Sequence, residues 1–242
     1  MTRGLPWTFH LNGISSVLDG RSSFQDLEGH TRDYVLFIGM LDLPTHSLGR
    51  RTDCLKMWHR NCRFRCGIED SSGLPCSLVD LLSSVMEPEV EMQLSSWPGE
   101  YGTVEQCQLW DLTRYAGIIT AHNYRSKCGL AGKNGSNELV AFAVRHIITT
   151  TRQIRERLGH LSYDSWSGLL YPLVAAGSQP FHLSVTDKSL IIASIEDLPN
   201  GSLEHNPYYG KVVSALHEFW VNGGGRSLEQ VVVDLGMELG LF

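Results

Sequence analysis

Six cysteines and ten histidines give this 242-residue chain its main scope for metal or thiol chemistry. Structural zinc needs ligands separated by about two to four residues, because one tight turn must present both to the same ion. Cys62 and Cys66 have such a spacing and His59 lies just upstream, but no second pair follows. We weigh a zinc site here against small, buried, reduced cysteines, and favour the latter. The six cysteines are Cys54, Cys62, Cys66, Cys76, Cys107 and Cys128.

The sequence contains none of the common catalytic motifs. It has no Gly-x-Ser-x-Gly elbow, no Gly-x-x-x-x-Gly-Lys-Ser/Thr phosphate loop and no His-Glu-x-x-His. The glycines at 223–225 follow a predicted helix rather than a strand, which is typical of a helix end and not of a dinucleotide site. From His10 to His217, no two histidines are four residues apart. We predict that the protein is not an enzyme and has no catalytic, cofactor-binding or metal-binding residues.

A basic segment at positions 50–65 is the strongest local charge feature, offset only by Asp53. Such a segment could engage phosphates or an import receptor. The alternative is a helix whose basic face lies in water, while Leu55, Met57 or Trp58, and Phe64 pack inward. The basic residues are Arg50, Arg51, Lys56, Arg60, Arg63 and Arg65.

The overall composition argues against nucleic-acid coating and membrane insertion. A net charge of −6 gives no general attraction to DNA or anionic membranes, and Glu87, Glu89 and Glu91 are predicted to form a solvated acidic face. The longest apolar stretches, 139–144 and 169–176, are far shorter than the ~20 residues of a membrane-spanning helix. The first ten residues lack the apolar core of a signal peptide, so we expect an intracellular protein without membrane contact.

Helical periodicity runs through nearly the whole chain, and no segment alternates convincingly like a strand. The clearest stripes predict a helix from a cap at Asn137 to Gly159, an interior helix before it, and a helix that ends at glycines 223–225. Their residues are Val140, Val144, Ile147, Thr151, Ile154 and Leu158; Leu109, Leu112, Tyr115, Ile118, Ile119 and His122; and Tyr209, Val212, Val213, Leu216, Phe219 and Trp220. Weaker helices are predicted at 8–19, 32–46, 77–87, 164–178, 185–197 and 227–239.

These segments predict an all-α fold, a bundle of eight to ten helices in antiparallel pairs. We interpret residues 1–242 as a single domain, because the glycine-rich segment 128–136 is too short for an inter-domain linker and instead joins two long helices. Ser184 is predicted to cap a helix that begins at Val185. The β-branched segment 230–234 is interpreted as a buried helix.

Four segments, in order, resemble the C-terminal regulatory domain of fungal zinc-cluster transcription factors, the all-helical fungal-specific transcription factor domain. The first is Phe-His-Leu-Asn-Gly-Ile at 9–14, followed by Val17-Leu18, and the second is Gly-Leu-Pro-Cys-Ser-Leu-Val-Asp-Leu-Leu at 73–82. The third is the apolar segment 166–177, where Pro172 and a final Ala-Ala-Gly resemble the family's Pro-Leu-x-x-Ala-Gly helix. The fourth is the Asn-Pro-Tyr-Tyr turn at 206–209, before a helix that reaches Phe219-Trp220.

The sequence also departs from that family. No two cysteines are separated by two residues, and the resemblance begins within the first ten positions, so we expect the DNA-reading zinc cluster to be absent. Ser178-Gln179 stand where the family often has a Cys-Glu-like pair. The resemblance carries over no catalytic or ligand residue.

The resemblance implies a transcriptional regulator or co-regulator in the nucleus, acting through other transcription proteins or as a dimer. It also implies a pathway-specific role, such as control of secondary-metabolite genes. DNA contact would be indirect or through the basic segment. Two alternatives stay open: a small all-α enzyme with an apolar pocket, and a truncated gene model of a full zinc-cluster factor.

Overall fold

The computed structural model describes residues 7–19, 30–129, 135–157, 167–198 and 207–241. Within these ranges the chain forms eleven α-helices and one pair of short strands. The helices are α1 (Trp7–Asp19), α2 (His30–Leu41), α3 (Met57–Asn61), α4 (Cys76–Ser83), α5 (Val90–Ser95), α6 (Val104–Lys127), α7 (Gly135–Glu156), α8 (Leu170–Gly177), α9 (Val185–Glu196), α10 (Pro207–Asn222) and α11 (Leu228–Asp234). The strands are β1 (Ser47–Leu48) and β2 (Leu239–Gly240), and 3₁₀ turns lie at Pro44–His46, Ser167–Leu169 and Pro180–His182.

The all-α class predicted from the sequence is confirmed, with one helix more in the described ranges than the predicted upper limit of ten. The helix weighed for the basic segment 50–65 is limited to α3, and the sequence does not predict α5, because six residues are too few to show a helical period. Asn137 lies inside α7 rather than capping it, since α7 begins at Gly135. The capping box of Ser184 and Asp187 at the start of α9 confirms the predicted cap. Some predictions fall outside the described residues: those at Leu158, Gly159, Trp166 and Asn206, and that for positions 130–134 of the glycine-rich segment.

The two longest helices, α6 and α7, form an antiparallel pair. Asp111 of α6 meets His146 of α7, and Tyr115 meets Phe142, so residue numbers fall along α7 as they rise along α6. The predicted stripe of α7 faces the core, as its buried members are Val140, Val144, Ile147, Thr151 and Ile154. This pair therefore forms a long wall against which the neighbouring helices pack.

Helix α8 is buried on every side, because all eight of its residues lie in the core. Pro172 lies in its first turn, where the missing N–H costs no helical hydrogen bond. Gly177 lets α10 approach closely, since a Cβ there would lie 2.8 Å from Leu216 Cδ2. The Trp220 indole N–H also donates to the Gly177 carbonyl over 2.8 Å. The small residues at the end of α8 thus allow a close contact with α10.

The strands β1 and β2 join the first quarter of the chain to its last residues. Ser47 pairs with Gly240 in an antiparallel register, and the Leu241 N–H donates to the His46 carbonyl over 2.8 Å. The Tyr208 hydroxyl at the start of α10 donates to the Gly240 carbonyl. The C-terminal segment is thus fixed to two distant parts of the chain.

The helix predicted over 227–239 is shorter in the structure. Helix α11 ends at Asp234, and Gly236 takes a left-handed φ of 71° that stops the helix and leads the chain into β2. The buried character predicted for the segment 230–234 is confirmed at Val231 and Val232 and is wrong at Val233, which is 40% exposed.

One contiguous hydrophobic core includes described residues from Val35 to Leu241. A second, smaller cluster of Leu11, Ile38 and Met57 holds α1 against α2 and α3. Helix α1 is therefore attached to the outside of the main core.

Asp42, just after α2, is the centre of a buried polar network. Its carboxylate is almost fully buried and pairs with the Arg50 guanidinium over 2.5 Å. It also accepts the backbone N–H groups of Leu55 and Met57 over 3.1 and 2.9 Å. Arg50 donates further hydrogen bonds to three backbone carbonyls. These bonds hold the segment 49–56 against the end of α2.

Removing the Asp42 carboxylate is expected to be strongly destabilising. Asp42→Ala leaves the Arg50 charge buried without its partner, which typically costs about 3–5 kcal/mol. The matched control is Asp234→Ala, because the Arg226–Asp234 pair has both side chains about 40% exposed and such surface pairs contribute little to stability. Urea unfolding of both variants measures the difference, and equal losses would contradict a structural role for the Asp42 network.

Gly49 is expected to tolerate no side chain. Its φ is 69°, and a Cβ there would lie 2.5 Å from Val232 Cγ1 and 2.6 Å from the Met237 carbonyl oxygen. Gly49→Ala therefore combines left-handed strain with overpacking, a loss of about 3 kcal/mol. Gly67→Ala is the control, because Gly67 also has a positive φ but open space around it, and strain alone costs about 1 kcal/mol. Unfolding in urea again provides the comparison.

Candidate functional site

Among the described residues, two partly open cavities share the lining residues Tyr171 and Leu241. The large cavity has a volume of about 640 Å³ and lies among the β1 segment, α6, α8 and the start of α11. The small cavity has a volume of about 380 Å³ and lies among the end of α2, the turn at 70–74 and α6. Their sizes and mainly apolar walls are typical of sites for small molecules.

The Tyr171 phenol is a polar group at the boundary of the two cavities. Tyr171 is 5% exposed, and its hydroxyl lies 3.0 Å from Thr120 Oγ1 of α6. Burial raises the pKa of Tyr171, so the phenol stays protonated. Since Thr120 and Tyr171 both line the large cavity, this neutral hydroxyl pair can donate a hydrogen bond to a bound molecule or accept one.

A buried histidine, His46, lines the small cavity. Its Nδ1 atom lies 3.0 Å from Thr45 Oγ1, and its ring centroid lies 5.8 Å from that of Tyr171. Burial lowers the pKa of His46 to about 4, and this outweighs the opposite effect of the Glu69 carboxylate. The imidazole is therefore uncharged at neutral pH.

The charged side chains of the large cavity are compensated or lie at its mouth. Arg50 is engaged by Asp42, and Glu229 Oε1 accepts the Gly49 N–H over 2.9 Å. Burial raises the pKa of Glu229, although the Lys127 charge and the backbone hydrogen bonds from Gly49 and Arg50 oppose the shift. Asp53 and Lys127 are exposed at the cavity rim. A molecule inside would meet apolar side chains and hydroxyls.

A third, open cleft of about 700 Å³ lies beside α6 and α7. Asp111 accepts a hydrogen bond from His146 Nε2 over 2.8 Å and pairs with Arg114 over 2.7 Å. Burial raises the pKa of Asp111, but the hydrogen bond from His146 and the Arg114 charge outweigh it, so the net pKa is lowered. Because these groups satisfy one another, we interpret them as a cross-link between the two helices.

The structure divides the basic segment 50–65. Arg50 points inward to Asp42 with 10% of its side chain exposed, so it contributes nothing to a basic surface. The exposed members are Arg51, Lys56 and Arg60, and the partly buried members are Arg63 and Arg65. Any phosphate contact would therefore depend mainly on the three exposed side chains.

The predicted inward packing of Phe64 is wrong. Met57 and Trp58 are buried as predicted, but Phe64 is 84% exposed. Its φ is 65°, its N–H donates to the Asp80 carboxylate over 2.9 Å, and the Arg63 guanidinium lies 4.9 Å from its ring centroid. The left-handed turn fixed by Asp80 directs the ring toward solvent, a local conformation that side-chain periodicity does not reveal.

The predicted solvated acidic face is wrong for one of its three members. Glu87 and Glu89 are exposed, but Glu91 is 7% exposed and pairs with Arg125 of α6 over 2.7 Å. This ion pair joins α5 to α6, so the buried Glu91 carboxylate has a structural role.

No disulfide joins the cysteines of the described ranges. Cys62 is fully buried and Cys66 is exposed. Burial raises the pKa of Cys62 to about 11, which disfavours the thiolate that zinc requires. Within the described residues, no group of three or more His, Cys, Asp or Glu side chains is placed to hold a metal ion.

Sequence patterns give little sign of the residues that line the cavities. His46 is one of ten scattered histidines, and Thr120 lies among apolar residues of α6. The one available signal is Tyr171, the only hydroxyl-bearing residue in the apolar segment 169–176. A lone hydroxyl in a buried helix must find a polar partner, and the structure supplies Thr120.

Comparisons with family models, curated proteins and solved structures find no match to this chain. The resemblance to the fungal regulatory domain therefore stays a prediction. Among the described helices, none has the length and apolar character needed to cross a bilayer.

His46 is expected to make the fold sensitive to acid. Because its pKa is about 4 in the folded chain and 6.5 ordinarily, the unfolded state takes up a proton first as the pH falls. Stability from this group is full above pH 6.5 and decreases toward pH 4, with a loss of about 2 kcal/mol near pH 5. His46→Gln should remove this loss in urea unfolding at about pH 7.5 and about pH 5. His10→Gln, at an exposed position, is the control and should keep the wild-type dependence.

Proposed function

We propose that this chain is a transcriptional regulator or co-regulator that acts in the nucleus through protein contacts, with a small effector bound in the large cavity. The position of that cavity carries the proposal. Its wall combines β1 from the first quarter of the chain, α6 and α8 from the middle, and Leu241 near the end. A molecule bound there contacts three separate parts of the chain. The resemblance to the fungal regulatory domain supports the same function.

An effector at this place would act by stabilising one packing of the chain ends. The β1–β2 pairing has only two residues in each strand, and such a small sheet is marginally stable without packing. Because Ser47, Leu48 and Leu241 line the large cavity, a bound molecule would favour the paired arrangement. The shift in free energy between the paired and unpaired arrangements equals the difference between the binding free energies of the effector for the two.

Exposed aromatic residues on α2 support the protein contacts. Tyr34 and Phe37 lie one turn apart and are 67% and 48% exposed, and aromatic side chains are enriched in interfaces. Phe37 also lines the small cavity, so a partner on this face would lie next to the cavities. The partner would be another transcription protein or a second copy of this chain. DNA contact would be indirect or through Arg51 and its exposed basic neighbours.

Transcript profiling after deletion and overexpression of the gene tests this function. We expect opposite, coordinated changes in a defined gene set, and a pathway-specific regulator would change the genes of one pathway, such as one for a secondary metabolite. Complementation with Ala175→Phe, which fills the large cavity, should leave the deletion profile largely unrestored. Thr113→Val, at the small cavity, should restore it.

An unchanged transcriptome together with an altered metabolite would contradict regulation. That result would favour a small all-α enzyme, for which the specific observation is the pairing of His46 and Tyr171 at an apolar cavity. In that case, a deletion strain complemented with His46→Gln would keep the altered metabolite level, although circular dichroism shows that the variant is folded. Under the regulatory proposal, the same variant should leave metabolites unaffected except through changed transcripts.

A further inference from the structure

We infer that the small cavity binds an uncharged molecule with an apolar ring system and a hydroxyl group, and that His46 Nε2 is the hydrogen-bonding partner of that hydroxyl. This site goes beyond the proposed function, which places the effector in the large cavity. The two cavities share Tyr171 and Leu241 in their walls, but His46 lines the small cavity and not the large one.

The Nε2 atom of His46 is a hydrogen-bonding group without a partner in the described part of the chain. His46 is 5% exposed, and its other ring nitrogen, Nδ1, lies 3.0 Å from Thr45 Oγ1. Among the described residues, no group forms a hydrogen bond with Nε2. The atom also keeps some accessible surface, in contrast to the unpaired hydroxyl oxygens of Ser47 and Thr52, which are completely buried. Because His46 lines the small cavity, a bound molecule can supply the missing partner.

The neutral imidazole of His46 favours a hydroxyl as the polar group of the ligand. Either Nδ1 or Thr45 Oγ1 can donate in the contact between them, so Nε2 accepts a hydrogen bond in one tautomer and donates one in the other. A hydroxyl group both donates and accepts, and it therefore suits either tautomer. An ether or ketone oxygen only accepts, so it suits one of the two.

The charges around the small cavity disfavour an ionised ligand. Burial lowers the pKa of His46 to about 4, so at neutral pH the ring has no charge that could attract an anion. No lysine or arginine is among the described residues that line this cavity, and Asp70 in its wall is exposed to solvent. The Glu69 carboxylate, which acts on His46, already accepts hydrogen bonds from Ser71 and Ser72. A buried anion would meet no positive charge, and a buried cation would meet no unoccupied carboxylate.

The rest of the wall suits a ring system. The ring centroids of His46 and Tyr171 lie 5.8 Å apart, and Thr113 of α6 adds a second uncharged polar group. A cavity of about 380 Å³ lies in the range of sites that enclose small molecules, and a bicyclic ring would bury most of its surface there. The apolar side chains of the wall are Phe37, Met40, Leu41, Leu74, Leu109 and Leu241.

Equilibrium dialysis of the purified full chain against 2-naphthol at neutral pH tests the inference. We expect saturable binding that is at least about tenfold tighter than the binding of 2-naphthoate, because the two compounds share a ring system and differ in charge. Ala175→Phe fills the large cavity and should leave the affinity for 2-naphthol unchanged, since Ala175 does not line the small cavity.

Two substitutions of His46 test the hydrogen bond to the hydroxyl. The reference ligand is 2-methylnaphthalene, in which a methyl group of similar size replaces the hydroxyl. In His46→Leu, the affinity for 2-naphthol relative to 2-methylnaphthalene should fall about fivefold, through the loss of one hydrogen bond. His46→Gln keeps a side chain that donates and accepts, so most of this relative affinity should return. A change in the shape of the cavity alone would weaken both ligands alike.

Four results would overturn the inference. Three are the absence of saturable 2-naphthol binding, equal binding of 2-naphthoate, and a relative affinity in His46→Leu that equals that of the wild type. The fourth is the loss of 2-naphthol binding in Ala175→Phe that is folded by circular dichroism, since this would place the probe in the large cavity. Transcript profiling does not enter these measurements, so the regulatory proposal and the small-cavity site can fail separately.

Discussion

The buried ion pair of Asp42 and Arg50 is the constraint on which the candidate site depends. A charge pair taken out of water is stable only when further hydrogen bonds complete it, and here backbone groups on both sides do so. This requirement fixes the path of the segment 49–56, and Thr52, Asp53 and Cys54 of that segment line the large cavity. The cavity is thus bounded on one side by a polar network, which cannot collapse inward as apolar side chains would.

The opposite boundary has a different character. Helices α6 and α8 meet through fully buried side chains, and the C-terminal segment combines the buried side chains of Leu239 and Leu241 with a two-residue sheet and single hydrogen bonds. Thr8 Oγ1 of α1 donates to Glu238, and Tyr208 donates to Gly240, so several elements share this segment. The large cavity therefore lies between the helical wall of α6 and α8 and the C-terminal segment.

Helix positions were predictable because burial follows the helical period along one segment. The stripes of α6, α7 and α10 and the cap at Ser184 depend on residues within a few turns of one another. The positions of Arg50, Glu91 and Phe64 were not predictable in this way. Charge type alone does not say which carboxylate or guanidinium is buried, and the partner of Glu91 lies 34 residues away in sequence. A cavity forms where several elements that are distant in sequence leave a space between them. A pattern within one segment gives no information about that space.

The protonation states of the cavity groups favour recognition over proton transfer. General acid–base catalysis works best when a group has a pKa near the working pH. Burial moves His46 and Tyr171 in opposite directions, the first to about 4 and the second above its ordinary range, so neither exchanges protons readily near neutrality. Both are instead fixed, uncharged hydrogen-bonding groups beside an apolar space. Such groups discriminate between molecules in the cavity by leaving the polar group of a mismatched molecule without a hydrogen bond.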